Sequence, residues 1–378
     1  MFSQFSLRFL KGRSVKYLPT VASIVLQLGL LIGVIMWLNS LRFYSPSKLI
    51  ETKDYNDVVT RHLNGLHYMF LLTADRMFRG IDRVALVSEY CYCSGSNFLS
   101  ILGQHAFLKQ NNIKSVYSTC NMTVGDVGPL YNSLAPIHPL RSAIVFSTGV
   151  DEPYSSVSAN WNVYNFLFND TRYKIRSFPL GMHEVHTQVK TRLFNRIKHH
   201  PDAVFSLYTQ ETRQQHDSLI GLMSPVEVMP HPSILLLPEL RELKLPKPNL
   251  DVAIVFDMPF LDLPDWNYLS LSYLKYEFRS WDKIPAPGNI HEQAIDLYDY
   301  SIQMLSGARF IITNLFQVHL MACMANIRHV YVASPQSYAY SYHQAWLQPL
   351  EQPGFMTTVS DVRTAIEVVE NWTTSTSY

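Results

Sequence analysis

Apolar positions along the chain fall into two kinds of run. Val84 to Val87, Ala143 to Phe146, Val252 to Phe256, Phe310 to Ile312 and Val330 to Val332 are short and continuously apolar, as expected of strands buried on both faces. Between them apolar residues recur at helical spacing: Leu99, Leu102, Ala106 and Phe107 within Phe98 to Lys109, and Leu315, Val318, Ala322 and Ala325 after Phe310 to Ile312. Further helices are expected over His291 to Leu305 and Val359 to Val369. Strand, helix and strand in succession make a parallel crossover, so the pattern predicts an α/β fold with ligands outside the carboxyl ends of the strands. In the most strongly patterned stretch, Ser301 to Trp346, that place is Thr313 to Gln317.

The N-terminal part has a different pattern. Leu18 to Leu38 is apolar apart from Thr20, Ser23 and Gln27, and at ~1.5 Å per residue it spans roughly 30 Å, the hydrocarbon thickness of a bilayer. Arg8, Lys11, Arg13 and Lys16 precede it, whereas Arg42, Lys48 and Lys53 are mixed with Glu51 and Asp54 beyond it. That asymmetry favours a signal anchor with a cytoplasmic N-terminus and a lumenal body. The expected organisation is a tail over 1–17, an anchor over 18–38, a stem over 39–80, an N-terminal domain over 81–230, a Pro-rich connection over 231–250, a C-terminal domain over 251–370 and a short tail over 371–378.

A lumenal body makes three glycosylation sequons usable, at Asn121, Asn169 and Asn371. The formal net charge of +1, with no basic stripe beyond the tail, argues against a nucleic-acid partner. Four cysteines are too few for a disulfide scaffold; Cys91 or Cys93 could pair with Cys120, and Cys323 fits core packing. His183, Glu184 and His186 lack the HExxH spacing of a zinc site, so neither metal nor cofactor is expected.

The stretch from Ser306 to Thr313, the strand at Ile327 to Val332, and the Ser/Tyr-rich loop from Ser337 to Trp346 resemble the corresponding parts of the polysaccharide pyruvyl transferases. Asp265-Trp266 and the His199-His200-Pro201-Asp202 run resemble that family as well. Likeness extends over roughly Arg83 to Trp346 and is greatest to the yeast-type Golgi members. It implies two Rossmann-like domains facing a cleft, as in GT-B glycosyltransferases. It also implies a reaction that moves a pyruvyl group from phosphoenolpyruvate onto a sugar as a ketal, on cell-wall galactomannan. Ligand-binding positions implied by the resemblance are Ser94, Ser96, Asn97, Gly149, Thr313 and Asn314.

At the catalytic motif the chain departs from the family. Where the family has Arg-Leu-His, this sequence has Asn314-Leu315-Phe316. Phosphoenolpyruvate carries a phosphate and a carboxylate, for which Arg is the natural bidentate partner, and ketal formation needs an acid or base. Candidate substitutes are His319, one helical turn beyond Phe316, and Arg213. Tyr338, Tyr340, Tyr342 and Trp346 could form a sugar-stacking surface or simply pack. Two readings stay open. One is a degraded paralogue that binds a galactose-containing N-glycan or partners a Golgi transferase; the other is an active but divergent pyruvyl or glycosyl transferase.

Overall fold

The computed structural model describes residues 55–88, 97–120, 122–135, 139–147, 161–181, 187–214, 226–257 and 274–375. The membrane segment expected over 18–38 lies outside them, and no described helix is long and apolar enough to cross a membrane. Everything that follows belongs to one compact unit, Asp54–Tyr378.

Two parallel sheets form that unit, as the α/β reading requires. The first contains β1 (Arg83–Ser88), β2 (Lys114–Cys120), β3 (Ser142–Ser147), β4 (Lys174–Ser177), β5 (Ala203–Leu207) and β6 (Val226–Val228), in the order β2-β1-β3-β4-β5-β6. The second contains β7 (Leu250–Asp257), β8 (Tyr276–Trp281), β9 (Ala308–Thr313), β10 (His329–Val332) and β11 (Met356–Val359), in the order β11-β10-β9-β7-β8. Every pair within the two sheets is parallel. Counted from its own first strand, each sheet begins with the same winding, and the direction of winding reverses between β1 and β3 and between β7 and β9. Those reversals are topological switch points.

Alternation along the strands divides the core. Val84, Leu86, Ala143 and Val145 of the first sheet share one continuous apolar cluster with Ala253, Val255, Ile311 and Tyr331 of the second. Their neighbours Ala85, Val87, Ile144 and Phe146 turn to a second cluster, and Val252, Ile254, Phe310 and Ile312 to a third. One face of each sheet therefore contributes to a common core.

Helix α1 (Tyr55–Phe78) adds to that core through Val59, Leu63, Leu66, Phe70, Ala74 and Met77, spaced three or four apart. Residues 55–78, which the sequence pattern assigned to the stem, are thus helical and packed into the body. Buried Arg176 on β4 fastens its end: Nε donates to the Met77 carbonyl, and the other nitrogens reach the Ile175 carbonyl at 2.8 Å and the Asp202 carboxylate at 2.6 Å. With its donors used in this way, the guanidinium is tolerated where a bare cation would be costly.

Helix α2 (Asn97–Gln110) leaves the carboxyl side of β1 and packs against α7 (Ile290–Leu305) of the other half. Phe98 stacks on Trp281 at 6.1 Å, and His105 on His291 at 4.2 Å. Between α1 and α2 on one side and helix α8 (Phe316–Met324) on the other runs the Pro-rich connection, whose Pro232–Leu236 turn is buried and whose following helix α6 (Leu237–Glu242) buries Leu237 and Leu240. The remaining helices in chain order are α3 (Val124–Leu134), α4 (Trp161–Asn169), α5 (Thr187–His199), α8 (Phe316–Met324), α9 (Tyr338–Tyr342) and α10 (Val362–Ser375). Met356–Val359 is the fifth strand of its sheet, so α10 starts three residues later than the apolar pattern alone indicated.

Gly103 is the point of closest approach. A Cβ there would lie 2.1 Å from the Pro232 carbonyl oxygen and 2.8 Å from the Ser233 nitrogen, both backbone atoms. Gly65, exposed on α1, would meet nothing within 4 Å. Gly103→Ala is expected to destabilise the protein by about 1–3 kcal/mol through overpacking, whereas Gly65→Ala stabilises it by about 0.5–1 kcal/mol by helix propensity. Thermal denaturation of the two variants checks both signs.

Candidate functional site

The carboxyl ends of the two sheets face one another. Trp346, beyond β10, donates its indole N–H to the Tyr208 carbonyl at the end of β5, and Thr212 Oγ1 lies 3.3 Å from the Tyr338 hydroxyl. At the other side Phe98, beyond β1, meets Trp281 at the end of β8. The ligand-binding positions expected from the sequence hang from the switch-point strands. Ser94 and Ser96 follow β1 and Gly149 follows β3, all three outside the described residues, while Asn97 opens α2 and is buried.

At the second switch point Thr313 links the two strands that flank it. Its side chain is buried; Oγ1 donates to the Val255 carbonyl on β7 at 2.7 Å and accepts the Leu315 N–H at 3.0 Å. A hydroxyl can do both at once, which explains a Thr at the end of an otherwise apolar strand. Asn314 is half-buried at the strand end. Leu315 and Phe316 turn inward, and Phe316 meets Tyr342 edge-on at 5.2 Å and His231 at 6.2 Å.

Phe316 belongs to an aromatic wall between the sheets. Tyr208 stacks on His231 at 5.6 Å and meets Tyr342 edge-on at 5.8 Å, and the Tyr342 hydroxyl accepts the His231 backbone N–H at 2.9 Å. Burial pushes the phenol pKa values up, to about 12 for Tyr338 and further for Tyr342, so both remain neutral. Tyr338 and Tyr342 are packed; Tyr340 and Trp346 are half-exposed and keep area for a partner. Arg213 sits in the single helical turn after β5, beside Thr212, and so comes to the same inter-sheet region.

The structure reveals a role for His231 that sequence reasoning missed. Its Nδ1 accepts from the Ser233 N–H at 3.1 Å, which leaves the hydrogen on Nε2, and Nε2 is buried with no partner among the described residues. His231 is the N-cap of the Pro232–Leu236 turn, with Pro at the first position of the turn. His319 is wholly buried and held by two other imidazoles, His329 and His343, so its ring lies behind the aromatic wall. His319, Cys323 and His329 are the residues placed to hold a metal among those described. His183, Glu184 and His186 lie outside them, as do Cys91 and Cys93 and the sequon asparagine Asn121. Asn169 is exposed, with Oδ1 accepting from Arg196 at 3.3 Å, and Asn371 is exposed on α10.

Buried imidazoles give the fold a pH dependence of definite sign. Desolvation lowers the pKa of His231 to about 3 and, with the neighbouring His291 charge as a smaller cause, that of His105 to about 4. The unfolded chain takes up these protons near pH 6.5, whereas the folded chain refuses them until about pH 4 or 3. Stability is therefore expected to be intact above pH 6.5 and to fall progressively as pH drops from 6.5 towards 4. Denaturant midpoints measured across that interval check it; a flat profile would show these rings to be solvated.

No protein-family model matches the chain. Pyruvylated Gal-beta-1,3-epitope synthesis protein 5 of Schizosaccharomyces pombe is 26% identical over 363 residues, which cover 92% of this chain and 95% of that protein. Among solved structures, a functionally uncharacterised protein of Klebsiella pneumoniae aligns with TM-score 0.51 at 13% identity, covering 78% of this chain and 99% of its own, and so shares the fold. The Anabaena protein HepE, solved with UDP, aligns with TM-score 0.41 at 12% identity over 78% of this chain and 91% of its own, too distant to add to that. The near full-length match makes this chain a divergent relative of that pyruvylated-galactose epitope synthesis protein.

Proposed function

We propose that the protein serves the synthesis of pyruvylated galactose on cell-wall N-linked galactomannan as a non-catalytic member of the pathway, binding the galactose-terminated glycan or accompanying an active transferase. The observation that carries this reading is the replacement of the charged pair at the second switch point. Asn314 offers only dipoles there, and Phe316 has its ring committed to Tyr342 and His231. A donor with a phosphate and a carboxylate loses about 1.5–3 kcal/mol for each charge-assisted contact removed. Two such losses amount to roughly a hundredfold to ten-thousandfold in rate, at ~1.4 kcal/mol per decade. His319 does not restore the missing acid or base, because its ring is wholly buried behind the aromatic wall with another imidazole set against each nitrogen.

What remains at the cleft suits an uncharged sugar. Half-exposed Tyr340 and Trp346 offer ring faces, and Asn314 offers a donor and an acceptor. Arg213 favours the second reading, a divergent transferase, since it brings a cation to the inter-sheet region. Calorimetry of the purified full-length protein separates the two. Binding of a β-galactose-terminated oligosaccharide without binding of phosphoenolpyruvate at millimolar concentration is the expected result, whereas donor binding would move the assignment to an active enzyme.

The reading places the protein in the Golgi membrane as a single-pass type II protein with Leu18 to Leu38 as its anchor, on the strength of that segment's length and the basic residues before it. A lumenal body predicts an endoglycosidase-sensitive mass shift through the sequons at Asn121, Asn169 and Asn371. An unshifted body open to protease in sealed membranes would reverse the topology.

A further inference from the structure

Behind the aromatic wall three histidines form a buried chain whose hydrogens do not add up. His329 Nδ1 lies 2.8 Å from the Ile327 carbonyl, His329 Nε2 lies 2.8 Å from His319 Nδ1, His319 Nε2 lies 3.1 Å from His343 Nδ1, and His343 Nε2 lies 3.0 Å from Glu351 Oε1. These are four contacts. Three neutral imidazoles carry three N–H groups.

Both ends of the chain have acceptors. A backbone carbonyl can only accept, so His329 must keep its hydrogen on Nδ1 and present a lone pair at Nε2. The Glu351 carboxylate accepts as well, and its hydrogen bond with His343 holds its pKa below the usual carboxylate range. His343 therefore keeps its hydrogen on Nε2, and Thr358 Oγ1, 3.0 Å from that nitrogen, can turn its own hydrogen elsewhere. His343 Nδ1 then accepts from His319 Nε2, and His319 Nδ1 is left as a lone pair. The two polarities collide at one place, where His319 Nδ1 and His329 Nε2 point lone pairs at each other across 2.8 Å.

Cys323 closes that place from the third side. Its Sγ lies 3.9 Å from His319 Nδ1 and 3.7 Å from His329 Nε2. His319 and Cys323 are one helical turn apart on α8, and His329 opens β10 after a short connection, so the spacing H-x3-C-x5-H puts all three side chains on one spot. A trigonal or tetrahedral ion with bonds of about 2.0–2.1 Å to nitrogen and 2.3 Å to sulfur separates its nitrogens by about 3.3–3.6 Å and nitrogen from sulfur by about 3.6–3.8 Å. The sulfur is already in that range of His329 Nε2, at 3.7 Å, and just beyond it from His319 Nδ1, at 3.9 Å. The nitrogens need to part by about half an ångström.

From this geometry we infer that His319 Nδ1, Cys323 Sγ and His329 Nε2 form a binding site for a d10 cation, zinc(II) or copper(I). A cation between the two lone pairs removes the conflict without any added proton on the rings: each imidazole keeps one hydrogen, each hydrogen has an acceptor, and the outer contacts stand as they are. Cys323 gives up its thiol proton to solvent on binding, and the thiolate offsets one unit of the ion's charge. The surroundings are those of a ligating histidine. His329 donates to a carbonyl, and His319 donates through His343 to a carboxylate, which fixes both tautomers. Tyr331 stacks on His319 at 4.1 Å and 3°, and Phe355 meets His329 edge-on, so the shell is dry. All three donors are fully buried.

The soft thiolate with two imidazoles selects these ions over magnesium or calcium. The site is independent of the glycan-binding proposal, since it lies behind the wall rather than at the cleft, and its test uses neither donor nor sugar. Full-length protein, purified without chelator from cells supplied with zinc or with copper, is measured for metal by mass spectrometry. One ion per chain that survives gel filtration is expected, and the ion retained identifies the metal. Loading with cobalt(II) is expected to give a near-ultraviolet thiolate-to-metal band, absent from Cys323→Ser, while a Ser306→Ala control keeps it. Wild-type protein that carries less than a tenth of an ion per chain, takes up neither zinc(II) nor copper(I), and shows no shift in melting temperature with either would overturn the site.

Discussion

The structure depends on one close approach, that of helix α2 to the Pro232–Leu236 turn at Gly103. A methyl group cannot fit between that helix and the backbone of the connection. Because the same helix leaves β1 on one side and packs on α7 on the other, its depth sets the spacing between the two sheets. The shared apolar core follows from that depth, with inner faces of both sheets meeting around α1, α2 and α8. So does the meeting of the sheets' carboxyl ends, where Trp346 reaches the Tyr208 carbonyl and Tyr338 reaches Thr212. The connection between the sheets is structural rather than a tether, and its prolines hold a buried turn.

Within that frame Thr313 ties β9 to β7 at the second switch point, and α8 begins three residues later. Around it, among the described residues, Arg213 is accompanied by neutral groups: phenols held protonated by burial, an imidazole whose pKa desolvation lowers to about 3, an amide and a phenyl ring. Such a surface binds hydroxyls and ring faces better than it binds charge.

Much of this was legible in the sequence. Continuous apolar runs located β1, β3, β7, β9 and β10, because strands covered on both faces have no polar side to interrupt them. Edge and near-edge strands were not so marked: Tyr276–Trp281 mixes Glu277 and Arg279 with aromatics and is half-exposed, and Met356–Val359 carries two threonines. Helix α1 shows its apolar face in the sequence, but nothing local says that the face is covered by the body rather than lying along a stem. The strand end at Thr313 and Asn314 was legible, since a polar pair after an apolar run is a local signal. His231 and the group of His319, Cys323, His329 and His343 were not, because their meaning lies in contacts across the chain and in a count of hydrogens that no linear spacing contains.

The central proposal is that Asn314 and Phe316 leave the second switch point without the charged pair that donor chemistry needs. The most direct measurement is transfer itself: full-length protein incubated with phosphoenolpyruvate and a β-galactose-terminated oligosaccharide, with the glycan analysed by mass spectrometry. The account predicts unmodified glycan at enzyme-equivalent concentrations of protein. A pyruvyl ketal on the terminal galactose, formed in proportion to protein and lost with Arg213→Ala, would contradict it and make the protein a transferase that rebuilt its site from other residues.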